Sequence, residues 1–248
     1  MRLTVLGSGC AISGANRYPS GYIVSHNGES IILDLGYGCF KQLQKAGFDF
    51  TKTNSLLFSH LHCDHVNDLS AFCFSRFVAL QWLRKPAKFN VFGPKGIRKF
   101  FNALANIYPQ LKDVDAAVRE IPNKKIGIGK FTVQSIRVLH NENSIAFSIS
   151  AAGRRIVYGG DCSYSSKLAK FAKHADLLIL ECSLAKETAG QMHLTSQQAG
   201  QIAAAAAAKQ LMLTHFYPST EKIDCRKKAA RFFKGKILLA KDLMRVTV

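Results

Sequence analysis

Acidic side chains are scarce in this sequence, and their scarcity sets the charge of the molecule. There are 16 Asp and Glu against 34 Lys and Arg, which gives a formal net charge of +18. A surface of this kind attracts anions and speeds their encounter, whether they are nucleic acids, nucleotides or acidic lipids. The same charge also keeps a protein soluble, so charge alone does not identify a partner. It does favour an anionic substrate.

Paired cysteines, a leader and a long apolar run are also lacking. The seven cysteines include no CxxC pair, which argues against a disulfide framework and for a reducing compartment. The first residues, MRLTVLGSGCAISG, have one basic residue and too short an apolar run for a signal peptide. No stretch approaches the roughly 20 apolar residues that a membrane span needs. We therefore expect a cytoplasmic protein with no membrane partner.

No linker, internal repeat or break in composition divides the chain. Prolines number only 6, and the hydrophobic content of 48% is ordinary for a globular core. At 248 residues the length suits one large domain or two small ones. Because no boundary is visible, we predict a single domain over residues 1–248. The oligomeric state is left open, and a homodimer is compatible with the sequence.

Short aliphatic runs alternate with longer helical segments along the whole chain. Strands are predicted at residues 2–6, 21–25, 30–34, 55–58, 89–92, 131–139, 144–150, 155–158, 176–180, 211–214 and 236–239. Helices are predicted at residues 40–45, 67–83, 97–107, 165–173, 195–207 and 224–233. Asn27-Gly28 is a strong hairpin signal between the second and third strands. This mixture indicates an α/β (α+β) protein with two packed sheets covered on the outside by helices.

The densest group of metal-binding side chains follows the strand predicted at residues 55–58. Residues 60–65 read HLHCDH and place three imidazoles and a carboxylate in six positions. In an extended turn, His60 and His62 reach one metal ion while Asp64 and His65 reach a second. Imidazole and carboxylate suit zinc and similar divalent ions, and a catalytic site keeps one position open for water.

HLHCDH resembles the HxHxDH signature of the metallo-β-lactamase superfamily, and the other landmarks of that family follow in order. Asp34, in LDLG, resembles the first motif. His140 in RVLHN, Asp161 in VYGGD and His215 in LMLTH match the third, fourth and fifth motifs, each at the end of a predicted strand. The match spans residues 3–215 and implies a four-layer αββα metallo-β-lactamase sandwich.

The resemblance also implies a division of labour among these residues. One metal ion is held by His60, His62 and His140, a second is held by Asp64, His65 and His215, and Asp161 bridges both. Asp34 is expected to bind no metal itself and to orient the loop that carries the histidine ligands. The ions are expected to be two Zn²⁺, although Mn²⁺ or Fe²⁺ would also fit these ligands.

Two metal ions about 3.5–4 Å apart can share a hydroxide and stabilise both the attacking and the leaving oxygens. The bound water loses its proton near neutral pH, so no serine or cysteine nucleophile is needed. Asp64 can orient that hydroxide while it binds metal. Hydrolysis is therefore the expected reaction.

Two further residues resemble the ribonuclease Z and phosphodiesterase branch of the superfamily. His193 lies just before the helix predicted from Thr195, and Glu181 ends the strand LLILE. In that branch a His–Glu pair at these places contacts the scissile phosphate and protonates the leaving oxygen, which is a poor leaving group until it receives a proton. His193 could instead be a helix-start residue, and Glu181 could simply pair with a lysine.

The first loop also resembles that branch, in which it borders the active site. Gly7-Ser8-Gly9 is followed by Arg17, whose guanidinium could pair with a substrate phosphate. A solvated surface arginine is the alternative.

One departure concerns the tRNA-binding arm of ribonuclease Z proteins, which lies between the counterparts of His140 and Asp161. Here that interval is only 21 positions (161 minus 140) and holds two predicted strands. No arm fits, so tRNA 3′-end processing is in doubt. The basic stretch at residues 222–236 (KIDCRKKAARFFKGK) could follow phosphates, or it could be a solvated helix face with Phe232 and Phe233 in the core.

The favoured function is phosphodiester hydrolysis, in RNA, a cyclic nucleotide or another diester, which makes the protein a nuclease or phosphodiesterase. Glyoxalase-type thioester hydrolases share HxHxDH, but they append a helical glutathione-binding domain, and only 33 residues follow His215 (248 minus 215). The non-enzymatic alternative is a nucleic-acid-binding relative of the fold, which an intact set of ligands argues against.

Overall fold

The computed structural model describes residues 1–12, 14, 16–85 and 87–248. Its strands are β1 (Arg2–Gly7), β2 (Gly21–His26), β3 (Glu29–Leu35), β4 (Ser55–Leu57), β5 (Phe89–Gly93), β6 (Ala116–Glu120), β7 (Lys125–Ile128), β8 (Phe131–Arg137), β9 (Ile145–Ala151), β10 (Arg154–Tyr158), β11 (Leu177–Glu181), β12 (Gln210–Thr214), β13 (Lys236–Leu239) and β14 (Arg245–Thr247). Its helices are α1 (Cys39–Lys45), α2 (Cys63–Val66), α3 (Leu69–Trp82), α4 (Ile97–Ile107), α5 (Ser166–Phe171), α6 (Ser196–Ala205), α7 (Pro218–Glu221) and α8 (Cys225–Ala229).

Within the described residues the strands form two seven-stranded mixed sheets. The first has the order β14-β1-β2-β3-β4-β5-β6, and the second has the order β13-β12-β11-β10-β9-β8-β7. In both sheets one half is antiparallel and the other parallel: β3 to β6 run parallel in the first, and β10 to β13 run parallel in the second. The parallel halves matter most here, because the loops that leave their carboxyl ends gather at one edge of the molecule.

Alternation of buried side chains along the strands separates the layers. In β2, Tyr22 and Val24 lie in the cluster shared with the second sheet, whereas Ile23 packs with α1, α3 and α4 on the outer side. The ring centroids of Tyr22 and Tyr158 lie 5.0 Å apart across the two sheets. Helices α5, α6 and α8 cover the outer face of the second sheet. The prediction of a four-layer αββα sandwich is confirmed.

The hairpin predicted at Asn27-Gly28 joins β2 to β3. Both residues have positive φ, 46° and 83°, as a two-residue hairpin turn with the favoured twist requires. None of the helices in the described part of the chain is long and apolar enough to cross a membrane.

Three strands, the short helices α2 and α7 and the ends of several helices differ from the sequence-based prediction. β6, β7 and β14 were not predicted. Among the residues that the structure describes, β7 pairs with β8 alone and β14 pairs with β1 alone. The helix predicted at residues 224–233 ends at Ala229. Phe233 is buried but Phe232 is 40% exposed, so the interpretation that placed both rings in the core is wrong for Phe232.

Candidate metal centre

The histidine loop begins three residues after the end of β4. α2 starts directly after His62, so Asp64 and His65 lie in its single turn. The ring centroid of His60 lies 4.5 Å from that of His62 and 4.0 Å from that of His65. One strand end and one helical turn therefore bring three imidazoles and a carboxylate together.

Asp34, at the end of β3, is fully buried behind this loop and holds it in place. Its Oδ1 accepts a hydrogen bond from the Ser59 backbone N–H at 2.7 Å. Its Oδ2 accepts bonds from the Ser59 hydroxyl at 2.7 Å, the Tyr158 hydroxyl at 2.6 Å and His65 Nδ1 at 2.8 Å. These partners satisfy a buried carboxylate that would otherwise be costly. Because Tyr158 belongs to the second sheet, Asp34 also joins the loop to both sheets.

Three more of the predicted ligands come from the second sheet. His140 lies three residues after β8, Asp161 three residues after β10, and His215 directly after β12. The backbone before Asp161 needs glycine, since Gly160 has a φ of 60° and an added Cβ would lie 2.7 Å from Ser59 Cβ. The two sheets thus approach closely at this edge and place their loops face to face.

The nitrogen and oxygen atoms of these residues form compact groups, within which they lie no more than 4.8 Å from one another. The groups are His60, His62, His140 and Asp161; Asp64, His65 and His215; and Asp161, His193 and His215. Asp161 lies between the first two groups. Its Oδ1 is 3.3 Å from His65 Nε2, and its Oδ2 is 3.5 Å from His215 Nε2. The same Oδ2 is 3.8 Å from the Nε2 atoms of His60 and His140.

Four of the histidines are oriented by a bond on the ring nitrogen that faces away from the centre. Nδ1 is bonded in His60 to the Ser59 hydroxyl (3.0 Å), in His65 to Asp34 (2.8 Å), in His140 to the Met192 carbonyl (3.0 Å) and in His215 to the Ser183 hydroxyl (2.8 Å). Both serine hydroxyls donate to carboxylates, so all four partners accept, and the proton of each ring lies on Nδ1.

In His60, His140 and His215 this proton placement leaves the Nε2 lone pair directed at the centre of the cluster, and in His65 a bound cation would take the place of the Nε2 proton. His60 Nε2 is buried and has no hydrogen-bond partner among the described residues. Histidines that bind divalent metal ions in proteins usually donate a hydrogen bond from the ring nitrogen that does not bind the metal. The chemistry of the donors and the orphaned nitrogen therefore fit divalent metal ions.

The charged side chains of the cluster shift one another's pKa values in the direction opposite to the shift caused by burial. Burial alone would lower the pKa of His65, but the carboxylates of Asp161 and Asp34 raise it well above the usual histidine value. Burial would likewise raise the pKa of Asp161, yet His215 and His65 hold it well below the usual range. The central carboxylate is therefore ionised, as a cation ligand must be.

His193 and Glu181 form a pair on the open side of the cluster. His193 Nδ1 lies 2.9 and 3.1 Å from the two carboxylate oxygens of Glu181, and its side chain is 23% exposed. Glu181 is buried and also accepts the Cys162 backbone N–H at 2.8 Å. Burial would lower the pKa of His193, but the hydrogen bond and charge of Glu181 raise it above the usual value. Thr195 caps α6, and its side chain accepts a hydrogen bond from the Gln198 backbone N–H.

Arg17 has structural partners. Its Nε lies 2.5 Å from Glu221, and its Nη1 donates to the Ser8 hydroxyl at 2.6 Å and to the Ala240 carbonyl at 2.8 Å. The guanidinium also lies over the Phe216 ring, 4.4 Å from its centroid. These contacts fix the first loop to the C-terminal part of the chain and engage two of the three guanidinium nitrogens.

Three residues that support the cluster were not singled out from the sequence. Ser59 and Tyr158 bond Asp34, and Ser183 connects His215 to Glu181. Serine and tyrosine have no spacing that marks them as partners of ligands. Only their places, next to the histidine loop and at the ends of β10 and β11, could have pointed to them.

Known proteins of similar sequence cover the whole of this chain. The model of the family described as anti-Pycsar protein Apyc1 matches residues 1–238. The probable metallo-hydrolase YhfI of Bacillus subtilis is 28% identical over 247 residues, with 98% of each chain covered. The crystal structure of YhfI, a metallo-β-lactamase-fold protein, superposes with a TM-score of 0.88 at 25% identity and covers 99% of this chain and 98% of YhfI.

Two ribonuclease Z proteins are also similar to this chain along their whole length. The short form of human tRNase Z has a TM-score of 0.81 at 25% identity and covers 100% of this chain and 99% of the human protein. Ribonuclease Z of Methanosarcina mazei is 23% identical, with 100% and 98% covered. That alignment spans 303 positions against the 248 residues here, so the relative carries insertions that this chain lacks. The predicted resemblance to the metallo-β-lactamase hydrolases is confirmed.

Proposed function

The chain belongs to the anti-Pycsar protein Apyc1 family and is a metal-dependent hydrolase of the metallo-β-lactamase fold. From this premise we propose that it hydrolyses phosphodiester bonds with two divalent metal ions, expected to be Zn²⁺. The observation that carries the proposal is the His193–Glu181 pair beside Asp161. Cleavage of a phosphodiester needs a proton donor for the leaving oxygen, and this pair supplies one.

We assign the ligands from the two compact groups described above. One ion would be held by His60, His62 and His140, the other by Asp64, His65 and His215, with Asp161 between them. The positions of the two Asp161 oxygens support a bridging role. Oδ2 lies within 3.8 Å of Nε2 atoms in both groups, and Oδ1 lies 3.3 Å from His65 Nε2 in the second group. Asp34 would maintain the loop that carries three of these ligands.

Bound metal ions would polarise the phosphate oxygens and lower the pKa of a water molecule. The protein's own residues would perform the remaining tasks. Asp64 accepts hydrogen bonds and could orient the attacking water. His193, held protonated by Glu181, would donate its proton to the leaving oxygen. The half-open position of His193 allows it to reach a substrate that the buried ligands cannot.

A hydrolysis screen of the metal-loaded protein tests this function. We expect turnover of bis(p-nitrophenyl) phosphate, of 2′,3′-cyclic nucleotides or of short RNA to exceed that of S-lactoylglutathione. Elemental analysis should find close to two metal ions per chain, and Asp161→Ala should lose most of both. Faster thioester cleavage, or full activity in strong chelator, would overturn the proposal.

We also propose that the protein acts as a homodimer through α3. Along this helix Phe74, Val78 and Trp82 follow one another at four-residue spacing and are 46%, 47% and 88% exposed. Patches of this kind are unusual on monomers. Phe74 stands between two apolar grooves of about 600 and 410 Å³, so a ridge on one copy can enter a groove on the other.

Electrostatics favours a second copy at this face. Two molecules of charge +18 repel each other, so their contact must exclude exposed basic groups. The only charged residue of α3 is Arg76, which is 2% exposed and donates to the Ala87 carbonyl. We further propose a cytoplasmic location, supported by buried cysteines such as Cys39, Cys73 and Cys182 that are in the thiol form.

A further inference from the structure

A cavity of about 460 Å³ lies beside the C-terminal half of α3, and none of its lining residues belongs to the metal-binding groups. Part of the lining comes from α3, and the rest comes from Arg84, Ala87 and residues 113–115. These last segments lead into β5 and β6, so the cavity lies at the amino ends of parallel strands, whereas the metal-binding cluster lies at carboxyl ends. Its volume is within the range of small-molecule sites in proteins, roughly 300–1,000 Å³.

Arg76 brings a buried positive charge to the wall of this cavity. The residue is only 2% exposed. Its Nη1 donates to the Ala87 carbonyl at 2.8 Å, its Nη2 donates to Asn54 Oδ1 at 3.4 Å, and its Cζ lies 5.2 Å from the centroid of the Phe89 ring. These partners are all neutral, and in the described part of the chain the guanidinium forms no ion pair with a carboxylate.

This environment leaves the guanidinium incompletely satisfied. Arginine has five N–H groups, and the contacts above use two of them. Nε is buried and has no hydrogen-bond partner among the residues that the structure describes. Burial lowers the pKa of Arg76, although an arginine side chain stays protonated at neutral pH. A buried charge without a counter-ion is costly, so an anion that enters the cavity would stabilise the protein by supplying one.

The remaining lining residues restrict which anion fits. Apolar side chains form part of the wall: Phe77, Leu80 and Val114. The exposed lining residues include Asp113 and Asp115, whose two negative charges outweigh the single positive charge of Arg84. A ligand with two negative charges would be repelled by these carboxylates, whereas one negative charge is neutralised by Arg76. The cavity therefore favours a ligand that is apolar apart from a single anionic group.

We propose that this cavity binds a small monocarboxylate with an apolar body. The carboxylate accepts hydrogen bonds from the guanidinium of Arg76, whose planar shape matches a carboxylate. The hydrocarbon part of the ligand packs on Phe77 and Leu80, as in small-molecule sites where a few polar groups fix the orientation of an apolar ligand. The site is separate from the metal-binding cluster and does not depend on the phosphodiesterase function proposed above.

Calorimetry on the metal-loaded protein, with hexanoate, hexanol and inorganic phosphate as ligands, tests the proposal. Arg76→Met should weaken the binding of hexanoate about 10–100-fold, the usual effect of losing hydrogen bonds to a charged group. The affinities for hexanol, which has no charge, and for phosphate, which has no apolar body, should not change. Arg98→Met, at an exposed arginine of α4, is the matched control and should bind hexanoate as wild type does.

A second measurement uses wild type alone, so it decides the question even if Arg76→Met fails to fold. In crystals grown with 6-bromohexanoate, the anomalous signal of bromine should lie beside Phe77 and Leu80. Bromine found only at the metal-binding cluster, or hexanoate bound equally by wild type and Arg76→Met, would overturn the proposal. An equal loss of phosphate binding in Arg76→Met would overturn the assignment to monocarboxylates.

Discussion

His193 is the residue on which the distinction between phosphodiester and thioester hydrolysis depends. Its Nδ1 is fixed by both oxygens of Glu181, so the opposite edge of the ring carries the proton that a substrate would receive. Changing His193 to Ala should lower turnover of diesters with alkyl leaving groups by about 10²–10⁴-fold, the usual effect of a positioned proton donor. The loss should shrink for p-nitrophenyl esters, whose leaving group needs little protonation.

Metal content is the internal check in that experiment. His193→Ala should keep both ions, and His174→Asn, at an exposed histidine, should match wild type in rate and in metal. Loss of metal from His193→Ala would mean that the third group, with Asp161 and His215, contains a true ligand. An unchanged rate on alkyl diesters would remove His193 from the mechanism.

Glu181 should control the pH at which that proton is available. Its charge raises the pKa of His193 against the opposing effect of burial, so Glu181→Gln should let this pKa fall. A proton donor is active while protonated, and the alkaline decline of kcat should therefore begin at lower pH in the variant. Profiles of kcat against pH on an alkyl diester measure the shift, with the p-nitrophenyl ester as control. An alkaline limb that does not move would contradict the assignment.

The site shows what sequence reveals about single residues and what it does not. His60, Asp161 and His215 could be picked out because ligands of this type follow strand ends in a recognisable order. Their supports could not, because Ser183 acts only through where β11 and β12 place it, between Glu181 and His215. The partners of Arg17 were also hidden, since Glu221 and Ala240 lie more than 200 positions away in the sequence.

Packing of the helices on the second sheet gives a prediction at the level of elements. α6 crosses α8 at Gly200, where an added Cβ would lie 2.5 Å from the Ala229 carbonyl oxygen. Alanine would gain about 1 kcal/mol of helix propensity, but overpacking costs about 1–3 kcal/mol. Because the 2.5 Å contact is with a backbone atom, the upper end of that cost applies, and Gly200→Ala should lower the free energy of unfolding in urea by about 2 kcal/mol. Exposed Ala204→Ser is the control, and a variant as stable as wild type would show that the helices can separate freely.

Elements with a strong local pattern were predicted well, and weakly patterned edges were not. The helix at residues 97–107 and the strand at residues 236–239 have the predicted bounds. β7, with the sequence KIGI, mixes charge and glycine and becomes a strand only because β8 pairs with it. β14 has three residues and depends on β1 in the same way. Pairing with a partner strand, adjacent in sequence for β7 and distant for β14, leaves no periodic signal in such segments.

The α3 surface yields a prediction for the whole molecule. Sedimentation should give a mass near twice that of the chain, and Trp82→Lys should give the monomer, because a charge buried in the contact is costly. Salt should strengthen the dimer, since it screens the repulsion between two molecules of charge +18. Phe232→Lys is the matched control. A monomeric wild type at high concentration and high salt would contradict the proposal.

The single domain over residues 1–248 stays a prediction.

Asp34 and the histidine loop leave the first sheet, whereas His140, Asp161 and His215 leave the second. Ions held between these residues would connect the two sheets. Metal affinity and the free energy of unfolding are therefore thermodynamically linked. Each tenfold rise in free metal above the dissociation constant should add about 1.4 kcal/mol to stability for each bound ion, and chelation should lower the melting temperature correspondingly. Reciprocally, a remote variant that loosens the layers, such as Gly200→Ala, would make the protein need more metal to remain folded in a metal-poor cell.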